Sequence, residues 1–282
     1  MTRYLIINAD DLGDVNGTVE AIGELFAAGV VTSTSAMVNQ PDWPRAAQML
    51  RQHPEWDAGL HLVMNEGQPV LSPERVPTLV DAQGRFRDGM ALLRRFPLIS
   101  RRELKAEWRA QAEKFTADAG RPPSHFDLHC HYPYVFPSWF RLSLELAEEY
   151  DRVPVRVPFD DALEEKAEEL SASYGGFPPW FIRWQGRRYR AMVEKRRLPR
   201  TNFWESSFSQ DGRRTVEVLL DILDRLPSGV TELLCHPGMQ GWRALDTQAL
   251  RDPRVRERLQ APDIVLTDYG RLASLPRRPG QP

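Results

Sequence analysis

The sequence predicts an α/β fold, a barrel-like domain of β/α units around a parallel sheet. Three observations carry that expectation. Short β-rich runs alternate with amphipathic helical stretches along most of the chain, the pattern of βαβ units. A length of 282 residues suits one large α/β barrel. Five of the six histidines, together with adjacent aspartates at 10 and 11, fall at or near the ends of strand-like runs, where barrels of this class carry their functional groups.

The elements follow in order. "RYLIINA" (3–9) reads as a strand, and Val15 to Ala28 as a helix with Val19, Ile22, Leu25 and Phe26 on one face before Gly29 ends it. "VTSTSAMVN" (31–39) is a second strand, "WPRAAQMLRQ" (43–52) a second helix and "DAGLHL" (57–62) a third strand. Residues 64–99 hold prolines and glycines without a period and read as a long loop placed to cover a site. Ser100 and Glu103 form a capping box for a helix striped by Leu104, Trp108, Ala112, Phe115 and Ala119. "HFDLHCH" (125–131) follows as a strand, then the helix "SWFRLSLELAEEY" and the strand "VPVRV" (153–157). The helix "VEVLLDILDRL", the strand "VTELLC" running into "HPG", and the strand "DIVLTDYG" complete the pattern. Residues 158–204 break the alternation and read as an inserted helical excursion within a single domain, 1–275, that ends in a flexible tail, 276–282.

Composition narrows the function. A content of 41% hydrophobic and 27% charged residues is ordinary for a soluble globular protein, and a formal net charge of −2 argues against a nucleic-acid partner. The N-terminal apolar run is cut by two aspartates and is too short for an export signal or a membrane span, so a cytoplasmic location is expected. Cys130 and Cys235 are then free thiols; strand alternation turns them away from His129 and His236, to pack as small apolar residues.

In an extended strand His125, Asp127, His129 and His131 share one face. Such a face, with the aspartates and His61, can hold a divalent metal through one carboxylate and two imidazoles while leaving positions open for water and substrate. Neighbouring carboxylates at a strand end point in different directions, so one of Asp10 and Asp11 can bind metal while the other faces the water. The plainer reading makes Asp14 an N-cap for the helix starting near Val15.

Taken in order, "INADDLG", "VTSTSAMVN", "GLHL", "HFDLHCH" and "LLCHPG" resemble the YdjC-like carbohydrate deacetylases, the family of chitooligosaccharide and hopanoid-associated deacetylases. The resemblance implies an irregular (β/α) barrel related to polysaccharide deacetylases, and removal of acetyl groups from N-acetylated mono- or oligosaccharides, lipid-linked ones included, with one divalent ion (Mg2+ or Zn2+, with Mn2+ or Co2+ as alternatives). On this chain it implies Asp11, His61 and His129 as metal ligands, Asp10 as general base and His236 as acid, with Arg156 near the acidic residues. His131, Asp127, Arg156, Tyr132 and Tyr134 are expected on the substrate side, the tyrosines as a stacking platform or as loop filling. The family's denser histidine run is replaced here by Cys130 and Tyr132-Pro133-Tyr134. Related enzymes also suggest a homodimer.

Ligand chemistry alone leaves other readings: a metal-dependent sugar isomerase or phosphoesterase, or a sugar-binding protein with a vestigial site. The stretch from Trp180 to Arg200 is basic and aromatic, which suits a weak membrane-surface contact or, more simply, a solvated helix covering the barrel or a subunit interface.

Overall fold

The computed structural model describes residues 2–173 and 176–276. Its seven strands are β1 (Arg3–Leu12), β2 (Ser33–Ala36), β3 (Asp57–Leu62), β4 (Phe126–Leu128), β5 (Phe203–Glu205), β6 (Gly229–Cys235) and β7 (Ile264–Leu266). All pairings are parallel, in the order β4-β3-β2-β1-β6-β5. β7 joins the first residues of β1, and β2 takes over the same edge from Asn8 onward. "VPVRV" is not a strand, because Pro154 has no N–H to offer a ladder. It closes the curled sheet through isolated backbone bonds: Phe126 N to Pro154 O (3.0 Å), Arg156 N to Phe126 O (3.1 Å) and, on its other side, Val155 N to Pro199 O (3.1 Å).

Strand alternation sorts the sheet into two faces. Leu5, Ile7, Leu60, Leu62 and Leu233 pack outward into the main core with the helices. The helices are α1 (Thr18–Ala27), α2 (Trp43–Gln52), α3 (Gly89–Arg94), α4 (Arg101–Ala119), α5 (Pro137–Glu149), α6 (Leu163–Ser173), α7 (Pro179–Arg196), α8 (Val216–Asp224), α9 (Arg243–Arg251) and α10 (Pro253–Leu259). The first helix is capped by Gly17, not Asp14, whose carboxylate accepts from Arg243 (3.2 Å) and from Val15 N. Ser100 caps α4, but Glu103 does not complete the box; it accepts from Thr78 N (2.8 Å) and Thr78 Oγ1 (2.7 Å).

Residues 64–99 are more ordered than the sequence suggested. Val76, Leu79, Phe86 and Leu92 are buried, α3 forms within the segment, and Glu107 of α4 pins it by accepting from Val70 N and Leu71 N, both at 2.9 Å. Residues 158–204 hold α6 and α7, but their last two residues already enter β5, a strand the sequence reading missed. Tyr189 of α7 stacks on Phe140 of α5, centroids 4.6 Å apart, while Trp180 and Trp184 are 67% and 50% exposed. The basic residues here are largely neutralised: Arg183 pairs with Glu168 (2.7 Å), Arg187 with Glu164 (2.8 Å) and Arg200 with Asp161 (2.8 Å). No helix among the described residues is long and apolar enough to cross a membrane. Of the expected tail only Pro276 is described; 277–282 lie outside the described residues.

The inward face changes character along the barrel axis. At the bottom Ile6, Val230, Tyr269 and Leu272 form an apolar plug. Above it come Asn8, Ser35, Glu232 and Asp127, and at the top Asp10 and His61. Arg156, 3% exposed, reaches into this middle layer. Its guanidinium meets both oxygens of Asp10 (2.7 Å each), Asp127 (3.0 Å) and Glu232 (2.6 Å). Removing the cation strands three buried carboxylates, so Arg156→Met is expected to lose about 3–5 kcal/mol of stability at pH 7, read by urea denaturation. A loss below about 1 kcal/mol would contradict this account of the interior.

Candidate metal centre and active site

Two carboxylates reach the barrel mouth because β1 does not end as a regular strand. Its register against β2 slips between Ala9 and Leu12, and Asp11 adopts φ 67°. That left-handed conformation is uncommon outside glycine, and aspartate is among the residues that best tolerate it. The sequence reading had the two side chains diverging. The bulge instead brings both toward Nε2 of His61, 3.7 Å from Asp10 Oδ2 and 3.4 Å from Asp11 Oδ1.

The histidine segment is a strand only over Phe126–Leu128, where it still pairs with β3. β3 ends at Leu62, Cys130 takes φ 63°, and a single 3-10 turn begins at Tyr132. His125 and Asp127 therefore share the inward face, but His129 and His131 do not continue it. His129 still meets Asp11, with Nδ1 3.3 Å from Oδ1. Cys130, expected to pack as an apolar residue, is exposed beside His129, whereas Cys235 is buried and donates to Asn8 O (3.4 Å).

Each imidazole has a carboxylate behind it. His61 Nδ1 lies 2.7 Å from Asp127 Oδ1, and His129 Nε2 lies 3.0 Å from Glu66 Oε2. Asp11 Oδ2 accepts from Arg243 (2.8 Å). These partners leave His61 Nε2, His129 Nδ1 and Asp11 Oδ1 facing one another within 4.8 Å, and the last two are buried with no hydrogen-bond partner among the described residues. Orphaned buried polar atoms are costly, and a carboxylate with two carboxylate-backed imidazoles is a donor set that suits a divalent cation. Asp10, His61 and Asp127 form a second cluster of ligand atoms, but the oxygens of its two carboxylates already accept from Arg156, Asn8 and Ser35. The cluster of Asp11, His61 and His129 is thus the one that fits an ion.

The electrostatics agree. Burial opposes charge on His61, but Asp127, Asp10 and Asp11 outweigh it and raise its pKa; for His129 burial is outweighed by Asp11, Cys130 and Glu66. Burial alone would raise Asp11, yet the facing histidines hold it well below the usual carboxylate range. His236 differs: burial pushes it down to about 4. Its Nδ1 lies 3.3 Å from Ser209 Oγ, and its backbone N–H donates to Asp246 (2.7 Å).

A cavity of about 580 Å³ opens above this group. Asp10, His61, His129 and His236 lie on its lining, with walls from Met90 and Leu93 of α3, Phe177 before α7, and Trp204 of β5. His131, Tyr132, Tyr134 and Arg156 also line it. Asp127 does not: it is fully buried behind His61, held by Ser35 Oγ (2.6 Å), so its expected place against substrate is corrected to a positioning one. Tyr134 is mostly buried against Phe140, and the Tyr132 ring is packed on Gly89, where any Cβ would collide with it, so neither offers a fully open face for stacking.

Sequence reasoning missed Glu66, Arg243, Glu232 and Asn8. The last two carried a signal, as polar residues on mostly apolar strands, Asn8 directly after Leu5-Ile6-Ile7 and Glu232 directly before Leu233-Leu234; Glu66 and Arg243 sit in a loop and at a helix start, where charge is unremarked. The facing carboxylates favour the protonated form of both imidazoles, so a divalent ion competes with protons for the same nitrogens. Calorimetry of Zn2+ binding near pH 7 in buffers of different ionisation enthalpy should report release of about one to two protons per ion, with affinity falling as pH drops. Glu66→Gln should weaken that binding roughly 10- to 100-fold, measured by the same titration.

Residues 4–261 match the family model described as YdjC-like protein. The chain is 33% identical to a carbohydrate deacetylase of Geobacillus stearothermophilus over 99% of its own length and 95% of that protein's. It is 30% identical to a chitooligosaccharide deacetylase of Yersinia pestis over 91% and 90% of the two chains. A carbohydrate deacetylase of Brevibacillus brevis is 41% identical over 59% of this chain, a match spanning 64% of that relative. Among solved structures, an Enterococcus faecalis V583 protein provisionally assigned to cellobiose-phosphate cleavage superposes with a TM-score of 0.77 at 25% identity, covering 95% of this chain and 98% of that one. The Xyl-CE4 domain of a multidomain xylanase from the hindgut metagenome of Trinervitermes trinervoides shares the fold, with a TM-score of 0.52 at 8% identity over 97% and 91% of the chains. With its irregular β/α barrel and a family match over nearly its whole length, the chain belongs to the YdjC-like family.

Proposed function

We propose that this protein is a divalent-metal-dependent deacetylase of N-acetylated saccharides, releasing acetate. The observation that carries the reading is the pair of orphaned buried atoms, Asp11 Oδ1 and His129 Nδ1, facing His61 Nε2 in a cluster whose histidines line the large cavity. The relatives named as carbohydrate and chitooligosaccharide deacetylases support the substrate class. Asp11, His61 and His129 would hold the ion; a carboxylate with two imidazoles suits Zn2+, Mn2+ or Co2+, and Mg2+ less naturally. Such an ion, when bound, polarises the acetyl carbonyl and makes a water nucleophilic near neutral pH.

This chain's own groups supply the proton transfers. Asp10 lines the cavity beside His61 and takes the proton from the attacking water. Arg156 and Asn8 hold its carboxylate in one orientation. His236, its pKa pushed by burial down to about 4, starts the cycle neutral, so the proton it gives to the departing amine is the one Asp10 took from the water, passed on within the site and leaving both groups as they began. Met90, Leu93 and Phe177 shield the reacting bond from bulk water.

Metal-loaded protein incubated with a panel of N-acetylated saccharides should release acetate. Phosphate release or isomerised sugar without acetate would favour a different barrel enzyme, and binding without turnover a non-catalytic role. Asp10→Asn should retain metal while turnover falls on the order of 10²- to 10⁴-fold. His61→Ala and His129→Ala should lose the ion itself, as measured by elemental analysis.

A further inference from the structure

His61 and His129 each have a carboxylate behind them, but His236 has an alcohol. Ser209 closes the single 3-10 turn Ser207–Ser209 that follows β5, and β5 pairs in parallel with β6, so the turn lies beside the end of β6, which His236 directly follows. Ser209 has one hydroxyl hydrogen, and it goes to Leu234 O (3.1 Å), an atom that can only accept. Toward His236 Nδ1, 3.3 Å away, the same oxygen is therefore an acceptor, and the ring must bring the hydrogen.

A neutral imidazole carries only one N–H. With that hydrogen on Nδ1, Nε2 keeps a free lone pair. His236 is half-buried on the lining of the large cavity, and its Nε2 has no hydrogen-bond partner among the described residues. The pair is held from behind by one guanidinium: Arg214 donates to Ser209 O and lies 3.2 Å from Asp246, which accepts the His236 backbone N–H (2.7 Å). The ring also meets Trp242 edge-on, centroids 5.6 Å apart, and Arg214 (4.6 Å) and Arg243 (4.7 Å) both lie over that indole. An alcohol at Nδ1 has a chemical consequence. A carboxylate there would stabilise the imidazolium and retain its proton, whereas a hydroxyl orients the ring and leaves the proton free to depart.

We propose that Ser209 is the positioning residue for His236: its hydroxyl oxygen fixes the Nδ1–H tautomer, so that Nε2 is the vacant nitrogen that takes up the proton released from the water by way of Asp10 and passes it to the departing amine. The proton moves from water to Asp10, to Nε2 and to the amine nitrogen, and neither side chain is changed at the end. An Nε2–H ring would have no vacancy for it. This inference rests on the deacetylase reading above and adds the group that sets which nitrogen of the acid does the work.

The tautomer is read by long-range proton–nitrogen correlation NMR on Zn2+-loaded protein carrying nitrogen-15-labelled histidine, with His236→Asn identifying the signals. The wild type is expected to show His236 as the Nδ1–H form, and Ser209→Ala a mixture of the two forms. Ser209→Ala lowers kcat for acetate release about five- to tenfold with KM unchanged, and Ser209→Thr, which keeps the hydroxyl, restores it to within about twofold. An Nε2–H ring in the wild type, or a Ser209→Ala protein with wild-type kcat, would overturn the positioning role and leave the deacetylase reading standing. The wild-type spectrum decides the matter if Ser209→Ala does not fold. A wild type that holds the Nδ1–H form yet releases no acetate would remove the deacetylase reading, and the inference with it.

Discussion

One buried cation organises the interior. Arg156 lies among Asp10, Asp127 and Glu232 in a layer that water does not reach freely, and no two of those carboxylates would sit comfortably there without it. The planar guanidinium matches Asp10 in a two-pronged contact that an ammonium could not reproduce. From this fixed point the rest follows by contact. Asp127, held by Arg156 and Ser35, binds His61 at Nδ1 and thereby frees Nε2 to face Asp11. Glu232 is tied from below by the Tyr269 hydroxyl (2.5 Å), which connects the charged layer to the apolar plug.

The features legible in the sequence were those set by local periodicity. Strand alternation placed His125 and Asp127 on one face, and the helical stripe from Leu104 to Ala119 is the buried face of α4. What escaped depends on contacts between distant segments or on backbone conformations that no spacing encodes. The bulge at Asp11 overrides alternation and turns two neighbours the same way. The left-handed residue at Cys130 ends a strand that the histidine spacing seemed to prolong. Glu103 gave up its role in a capping box because Thr78 offers both a backbone and a side-chain donor. Glu66 becomes a partner of His129 only once residues 64–99 fold back over the barrel, an event driven by buried leucines and valines rather than by any polar motif.

Chemistry and shape are divided between different parts of the chain. The strand ends and the turns that follow them supply the charged groups, while Met90, Leu93 and Phe177 come from two excursions that the β/α pattern does not contain. The excursion carrying α7 spends most of its arginines on neighbouring glutamates and aspartates. Its outward side carries exposed aromatic rings, Trp180 and Trp184, beside exposed Arg187 and Arg188.

The closure of the barrel has a mechanical side. Residues 153–157 are held to the neighbouring chain by isolated backbone bonds where the other positions in the sheet have ladders, which makes this seam the stretch with the least cooperative backbone protection. Arg156 sits in the middle of that seam. Its side chain therefore acts as a rivet across the opening, joining a weakly stitched segment to β1, β4 and β6 at once, and the charge that shapes the interior is also what keeps the cylinder shut.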